Sequence, residues 1–269
     1  PDFLSDRGDV LLDLGRFREA IVAYKKALKL DPKDTTIIYG LVLACSESDD
    51  FEECIKWINK LPSDQISQDV LVVKADCLSQ LGKSKQSLEI FQNLWRDDPA
   101  NLDFMDSCVN ELIDLGRYKE AGKIVDRLIE LDPESVNNLN MKSDIALRTR
   151  KYKESIKFAQ KALKLVGDDE DYAVSWSNIA SVEFHQGDHK AALKSVEKSL
   201  ELDDTMGITW LLSAFINRAL GNEEDFEIQS AAGLSRLDIY QLKDVTDIIL
   251  TQLSPKERKE FEKEIRSAV

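Results

Sequence analysis

A helix-like phrase ending in Asp-Pro recurs along this chain of 269 residues, and its spacing limits the fold more than any other feature. The phrase is LGRFREAIVAYKKALKLDP at 14–32, LGKSKQSLEIFQNLWRDDP at 81–99 and LGRYKEAGKIVDRLIELDP at 115–133. Its glycine recurs at separations of 34, 67 or 71 residues, at Gly15, Gly82, Gly116, Gly187 and Gly221. A period of this size indicates an array of small units that bury their apolar faces against one another.

Each unit reads as two helices joined at the glycine. After Gly15, apolar side chains follow at helical spacing and form one stripe of a helix: Ala20, Ile21, Tyr24, Ala27 and Leu28. The Asp-Pro pair ends that helix, because proline lacks an N–H and clashes with the preceding turn. The glycine suits the turn between the helices, since it adopts a positive φ without a Cβ clash.

This pattern resembles the tetratricopeptide repeat (TPR), a unit of about 34 residues with small, aromatic and proline residues at fixed positions. Residues 1–34 carry the resemblance at Gly8, Leu11, Gly15, Phe17, Ala20, Tyr24, Ala27 and Pro32. Residues 102–135 carry it at Leu112, Gly116, Tyr118, Ala121, Val125, Leu128 and Pro133. Residues 173–206 carry it at Trp176, Ala180, Gly187, Ala192, Val196 and Leu200. The resemblance implies an all-α fold, a right-handed α-solenoid superhelix of helix-turn-helix units.

Seven units are expected, followed by C-terminal capping helices at 241–269. The units are 1–34, 35–67, 68–101, 102–135, 136–169, 173–206 and 207–240. The second and fifth units lack the turn glycine, and Arg150 takes its place in the fifth. Three extra residues, Glu170–Tyr172, fall in a polar run that we interpret as a solvated linker. The Ser254-Pro255-Lys256-Glu257 run is a capping box, which predicts the start of a helix.

Composition excludes several classes of function. The 50 acidic and 36 basic residues give a net charge of −14, which argues against binding to nucleic acid or to anionic membrane surfaces. No apolar run approaches the length of a membrane-spanning helix. The four cysteines lack paired spacing, so we expect buried thiols in a reducing, cytoplasmic setting. Because the chain does not begin with Met, we expect it to be a piece of a longer protein.

No catalytic or cofactor-binding constellation stands out in the sequence. His185 and His189 are four residues apart, but the turn at Gly187 separates them and predicts that they lie on different helices. A glycine-rich phosphate loop is missing, and the acidic run near Glu170 lacks the ligand spacing of a calcium loop. We therefore predict no catalytic residues, no metal site and no cofactor.

In the TPR family the first helix of each pair lines a concave groove, and the resemblance assigns positions 2, 5, 6, 9, 12 and 13 of each unit to it. The acids at these positions are Asp2, Asp6, Asp9, Asp13, Glu47, Asp69, Asp76, Asp103, Asp106, Asp114 and Asp144. The bases are only Arg148 and Arg218. Four amides fall on the same surface, at Asn110, Asn137, Asn140 and Asn178, and an amide can both donate to and accept from a peptide backbone. The prediction is a groove for a basic or polar extended peptide; the alternative is an ordinary solvated face.

Two further features of the groove bear on the partner. The clamp that some TPR proteins use for acidic chaperone tails does not carry over, because Ser5, Asp9, Asp69 and Val73 occupy positions that need Lys, Arg or Asn. In the seventh unit an apolar stripe runs through Ile208, Leu211, Leu212 and Phe215. It is either covered by the C-terminal helices or open to an amphipathic helix of a partner.

The sequence thus predicts a non-catalytic scaffold or adaptor that binds a protein or peptide partner. Two alternatives remain open. The chain could be the substrate-selecting repeat region of a larger enzyme, such as a glycosyltransferase, or an oligomerisation module that uses its apolar C-terminal end.

Overall fold

The structure, a computed structural model, describes residues 2–236 and Lys259. Residues 2–236 form seven consecutive pairs of α-helices, with one short 3₁₀ helix at Ser63–Gln65 and no strand. The helices of the first four pairs are α1 (Asp2–Asp13), α2 (Phe17–Leu30), α3 (Thr35–Glu47), α4 (Phe51–Ile58), α5 (Gln68–Gln80), α6 (Ser84–Asp97), α7 (Leu102–Asp114) and α8 (Tyr118–Leu131). Those of the last three pairs are α9 (Val136–Arg148), α10 (Tyr152–Ala162), α11 (Asp169–His185), α12 (His189–Leu202), α13 (Gly207–Leu220) and α14 (Glu223–Leu234). The predicted all-α fold is confirmed for these residues; the expected capping helices lie outside them.

The chain divides into two compact units, Pro1–Glu111 and Leu112–Val269. Within each unit, successive helices pack on one another, as α1, α2 and α3 do in the first and α11, α12 and α13 do in the second. First helices of neighbouring pairs also meet, since α1 contacts α3 and α11 contacts both α9 and α13. Side chains on α1 and α3, and those on α9, α11 and α13, therefore lie on neighbouring first helices.

Tyr24 is the centre of the core at the start of the first unit. Its side chain is fully buried, and its hydroxyl donates a hydrogen bond of 2.6 Å to Asp9 Oδ1. A Cβ added to Gly8 of α1 would lie 2.5 Å from the tyrosine ring, and one added to Gly40 of α3 would lie 2.7 Å from it. The two glycines thus let both α1 and α3 pack closely against the ring.

The turn inside each pair has a left-handed residue, and glycine supplies it where the sequence analysis expects. The five glycines of the repeated phrase have φ between 64° and 86°. In the second and fifth pairs, Asp49 and Arg150 adopt φ of 60° and 58° at the same point of the turn. Packing of the helix pair therefore imposes this conformation even on residues for which it is strained.

We expect Arg150→Gly to raise the free energy of unfolding by about 0.5–1 kcal/mol, because relief of the left-handed strain outweighs the added entropy of the unfolded chain. Denaturant unfolding of the variant beside the parent protein measures the change. Gly116→Ala is the opposite control, since nothing lies within 4 Å of an added Cβ and only backbone strain changes. A less stable Arg150→Gly protein would contradict this account of the turn.

The three extra residues of the sixth unit form helix rather than a linker, so that prediction was wrong. Helix α11 begins at Asp169, and the side chain of Asp168 accepts a hydrogen bond of 2.8 Å from the backbone N–H of Asp171. Acidic side chains in a first helical turn interact favourably with the helix dipole. The polar run therefore lengthens the helix at its N-terminus.

Candidate peptide-binding surface

The first helices of the first compact unit carry a set of exposed acids, which we call the acidic face. Its members are Asp2, Asp6, Asp9, Asp13, Glu47, Asp69, Asp76 and Asp103. Within residues 2–236, no lysine or arginine forms an ion pair with any of them. The negative charge of this face is left to solvent or to a partner.

Two acids on the second helices, Glu19 and Glu53, behave differently, because each is paired with a base. Arg16 Nε donates to Glu19 Oε1 at 2.7 Å. Glu53 of α4 lies 2.8 Å from Lys56 Nζ and 2.9 Å from Lys25 Nζ of α2. These contacts, with Lys56 the strongest, lower the pKa of Glu53 to about 2. The ion pairs of the first unit thus lie on the second helices, although Glu52, Glu89 and Asp97 there are unpaired within the described residues, and none lies on the acidic face.

One buried acid, Glu111, lies close enough to the acidic face for its charge to act on Asp76. Glu111 of α7 is only 3% exposed and accepts a hydrogen bond of 2.8 Å from Ser87 Oγ of α6. The pKa of Asp76 is raised, first because surrounding protein displaces part of its hydration and second because of the charge of Glu111. Glu111 was not predicted from the sequence. The available signal was a charged residue at a place where other first helices have small buried residues, Ala44 and Cys77.

Asp9 is held in place by the core beneath it. The hydrogen bond from Tyr24 fixes the Asp9 carboxylate, while the side chain as a whole stays exposed. Burial and, after it, this hydrogen bond raise the pKa of Tyr24 above its ordinary value. The tyrosine therefore stays protonated and keeps donating to Asp9 at any physiological pH.

Apolar side chains are interspersed with the acids. Tyr39 of α3 is exposed, and Leu43, Val72 and Val73 are half-buried at positions that the sequence analysis assigns to the groove. A partner that carries both basic and apolar side chains would find both kinds of contact here.

The remaining predicted residues near the end of the first unit and the start of the second are less uniform. Asn110 and Asn137 are exposed, whereas Asp106 and Asp114 are half-buried. Asp144 is half-buried and forms an ion pair with Arg148 at 2.8 Å. The predicted groove positions of the second unit therefore carry no comparable set of exposed acids within the described residues.

Asn140 and Asn178 lie inside the second unit, which corrects the expectation that they contact a peptide. Asn140 Nδ2 donates to the carbonyl oxygen of Asp171 at 2.8 Å, and its Oδ1 accepts from Ser175 Oγ at 2.6 Å. Asn178 Nδ2 lies 3.4 Å from the carbonyl oxygen of Asn140. Both amides are buried and used by the contact between α9 and α11, so we leave them out of the candidate surface.

The apolar stripe of the seventh pair is also part of the core. Leu211, Leu212 and Phe215 are buried, and Ile208 is half-buried. They pack in a cluster with residues of α11, α12 and α14, where the rings of Phe215 and Phe226 have centroids 5.6 Å apart. The possible apolar contact surface is therefore closed by neighbouring helices, because each of these side chains faces the interior of the pair.

The two histidines lie on different helices, as the turn predicted. His185 ends α11, and its Nδ1 is 2.7 Å from the carbonyl oxygen of Ser181; burial lowers its pKa. His189 begins α12 and packs on the ring of Phe184. Within the described part of the chain, no group of three or more His, Cys, Asp or Glu is placed to hold a metal ion. None of the helices in that part is long and apolar enough to cross a membrane.

Models of a known protein family match two stretches of the chain. Tetratricopeptide repeat family models match residues 11–67 and 134–205. No curated protein matches the chain.

Several solved structures share the fold. A tetratricopeptide repeat protein from Parabacteroides merdae superposes with a TM-score of 0.78 at 16% identity, over 94% of this chain and 98% of that one. A thermophilic TPR protein from Thermus thermophilus has a TM-score of 0.58 at 16% identity, over 70% of this chain and all of that one. A chain of the APC/C hetero-tetramer Cut9–Hcn1 has a TM-score of 0.57 at 14% identity, and the match covers 94% of this chain and 56% of that one. At such identities the likeness shows the fold alone.

Proposed function

We propose that this chain, which is a tetratricopeptide repeat protein, is a non-catalytic scaffold that binds a basic or polar extended peptide of another protein on its acidic face. Proteins with the tetratricopeptide repeat fold commonly act as scaffolds for protein interactions. One similar structure is itself a hetero-tetramer, the Cut9–Hcn1 assembly. The finer assignment, of the acidic face to a basic peptide, rests on the charges of this chain.

The observation that carries the proposal is that the ion pairs of the first unit lie on the second helices and that none involves the acidic face. Glu19 and Glu53, beside the second helices, are compensated by nearby bases, whereas the exposed acids of the first helices are not. Concentrated like charge weakens the compact state through self-repulsion. A basic partner relieves that repulsion, which supports an interaction role for this face.

The acids contribute to the encounter more than to the final affinity. An exposed ion pair contributes only about 0.2–1 kcal/mol, so several pairs are needed for measurable selectivity. A field of one sign speeds association and disfavours acidic competitors. Tyr39 and the half-buried Leu43, Val72 and Val73 would supply the apolar contacts that slow dissociation.

The test is a selection from a displayed library of random peptides against the full 269-residue chain. We expect the selected peptides to be enriched in Lys and Arg and depleted in Asp and Glu. Binding of a selected peptide should weaken at high salt, because exposed charges are screened over about 10 Å at 0.1 M salt. A variant with Asp6→Asn, Asp13→Asn, Asp69→Asn and Asp76→Asn should lose most of this binding.

The matched control removes the same charge from exposed acids that lie outside the acidic face. It carries Glu52→Gln, Asp64→Asn, Glu89→Gln and Asp97→Asn, and it should bind like the parent protein. Equal weakening by both variants would mean that only the net charge matters. Selection of peptides without a basic bias would contradict the proposal.

A further inference from the structure

Asp9 differs from the other members of the acidic face because a side chain from the core holds its carboxylate. The hydroxyl of Tyr24, a fully buried residue, donates to Asp9 Oδ1 over 2.6 Å. In the described part of the chain, no other member of the acidic face accepts a hydrogen bond on its carboxylate. Asp9 itself stays exposed. One carboxylate of this face is therefore fixed in direction while it remains open to a partner.

Close packing of α1 and α3 sets the position of the Tyr24 hydroxyl. A Cβ added to Gly40 of α3 would lie 2.7 Å from the tyrosine ring and 2.8 Å from the hydroxyl oxygen. One added to Gly8 of α1 would lie 2.5 Å from the ring. The hydroxyl is thus confined beside both helices, and the Asp9 carboxylate that it holds lies on the side of α1 that faces α3.

The third helix pair has the same arrangement without the hydroxyl. Asp76 of α5 and Phe91 of α6 are 15 residues apart, as Asp9 and Tyr24 are. Phe91 is buried but has no group to donate, and the exposed Asp76 accepts no hydrogen bond within residues 2–236. The first unit therefore contains a held and an unheld carboxylate at the same position of the repeat, and the two differ in the hydroxyl beneath them.

A held carboxylate is a better partner for a cation than a mobile one. An exposed ion pair contributes little, because both side chains lose rotamer freedom and salt screens their charges. Asp9 has already lost that freedom on folding, so less entropy is lost when a partner binds there. Because the raised pKa of Tyr24 keeps its hydroxyl neutral, the hydrogen bond leaves the charge of Asp9 in place. A carboxylate accepts about four hydrogen bonds, so most of this capacity is left for a basic side chain.

We propose that Asp9 is the anchor of the acidic face, the residue that holds one particular Lys or Arg side chain of the bound peptide, and that Tyr24 positions it. This inference rests on the proposed function, because it names the member of the acidic face on which peptide binding depends most. Asp13, one helical turn further along α1, attracts the same cation but is not held. The anchor fixes the register of the peptide, while the other acids attract its remaining charges.

The test measures binding of the tightest basic peptide from the library selection, labelled with a fluorophore, to the full chain by fluorescence anisotropy. Asp9→Asn removes the charge but keeps an oxygen that accepts from Tyr24, and it should weaken binding by about tenfold. The matched controls each remove one charge from an unheld acid and should weaken binding only about twofold to threefold. They are Asp6→Asn, Asp13→Asn and Asp76→Asn.

The outcomes separate this inference from the proposed function. Equal weakening by all four single substitutions overturns the anchor and leaves the acidic face as the binding surface. A selection that returns no basic peptides contradicts the proposed function, and the anchor with it.

Tyr24→Phe tests the positioning role, because it keeps the buried ring and leaves every charge in place. It should weaken binding of the same peptide by about threefold, since Asp9 then acts as a mobile acid. In a protein that also carries Asp9→Asn it should have no further effect on binding. A loss of binding that is equal in both backgrounds would mean that Tyr24→Phe acts through the fold alone, and it would overturn the positioning role.

The peptide identifies the cation that is held. Its Lys and Arg residues are replaced by alanine one at a time, and each peptide is titrated with the parent protein and with the Asp9→Asn variant. One replacement should weaken binding to the parent protein and leave binding to the variant almost unchanged. If every replacement has the same effect on both proteins, no single basic residue is held at Asp9 and the inference is wrong.

Discussion

Replacing Gly40 with alanine is expected to lower the free energy of unfolding by about 1–3 kcal/mol, although alanine is ordinarily the better helix former. The added Cβ would lie 2.7 Å from the ring of Tyr24. The ring has little room to move, because it also lies so close to the backbone of Gly8 that a Cβ added there would be 2.5 Å from it. Chemical denaturation, followed by tryptophan fluorescence, gives the change in midpoint.

A second substitution shows whether the clash is the cause. In a Tyr24→Leu background the ring is gone, and Gly40→Ala should then cost much less or become favourable. Tyr24→Leu alone also removes the hydrogen bond to Asp9, so Tyr24→Phe is needed to measure that bond by itself. An equal cost of Gly40→Ala in both backgrounds would contradict the packing of α1 and α3 around Tyr24.

Asn140→Asp is expected to lower the free energy of unfolding by about 2–4 kcal/mol at neutral pH. The substitution replaces the amide donor with a carboxylate oxygen that faces the carbonyl oxygen of Asp171, now 2.8 Å from Nδ2. Burial also raises the free energy of the new charge, since the site is only 4% exposed. Thermal and denaturant unfolding of the variant measure the effect.

The pH dependence identifies the cause of that loss. Burial and the facing carbonyl raise the pKa of the new carboxyl group, so the loss is largest above that pKa and shrinks as falling pH protonates the group. Gln160→Glu is the matched control, because it makes the same amide-to-acid change at an exposed site on α10. A loss that does not change with pH, or an equal loss in the control, would contradict the buried contact between α9 and α11.

The helix pairs follow from the sequence because each repeats the same few local signals. A left-handed turn favours glycine, and an Asp-Pro pair stops the second helix, so their spacing locates the pairs. Asp49 and Arg150 show the limit of this reasoning, because packing fixes the turn without glycine there. The helical start of α11 was missed because acids that resemble a solvated linker also favour a helix N-terminus.

The candidate site was predictable only in part. A position within the repeat fixes the direction of a side chain but not how closely the next pair approaches. Asp6 and Asn140 were both assigned to the groove, yet Asp6 is exposed and Asn140 is buried against α11. Glu111 escaped notice because its position is ordinarily part of the core. Whether a side chain at one of these positions is exposed or buried depends on the local separation between neighbouring helices.

The central claim is that a basic peptide binds on the acidic face of the first helices. Photo-crosslinking tests it most directly, with a selected peptide that carries a photoreactive group and mass spectrometry to locate the crosslinks. The account predicts crosslinks to α1, α3 and α5, lost when the four acids are replaced by Asn and kept in the matched control. Crosslinks confined to α2, α4 and α6, or unchanged by the Asn substitutions, would contradict it.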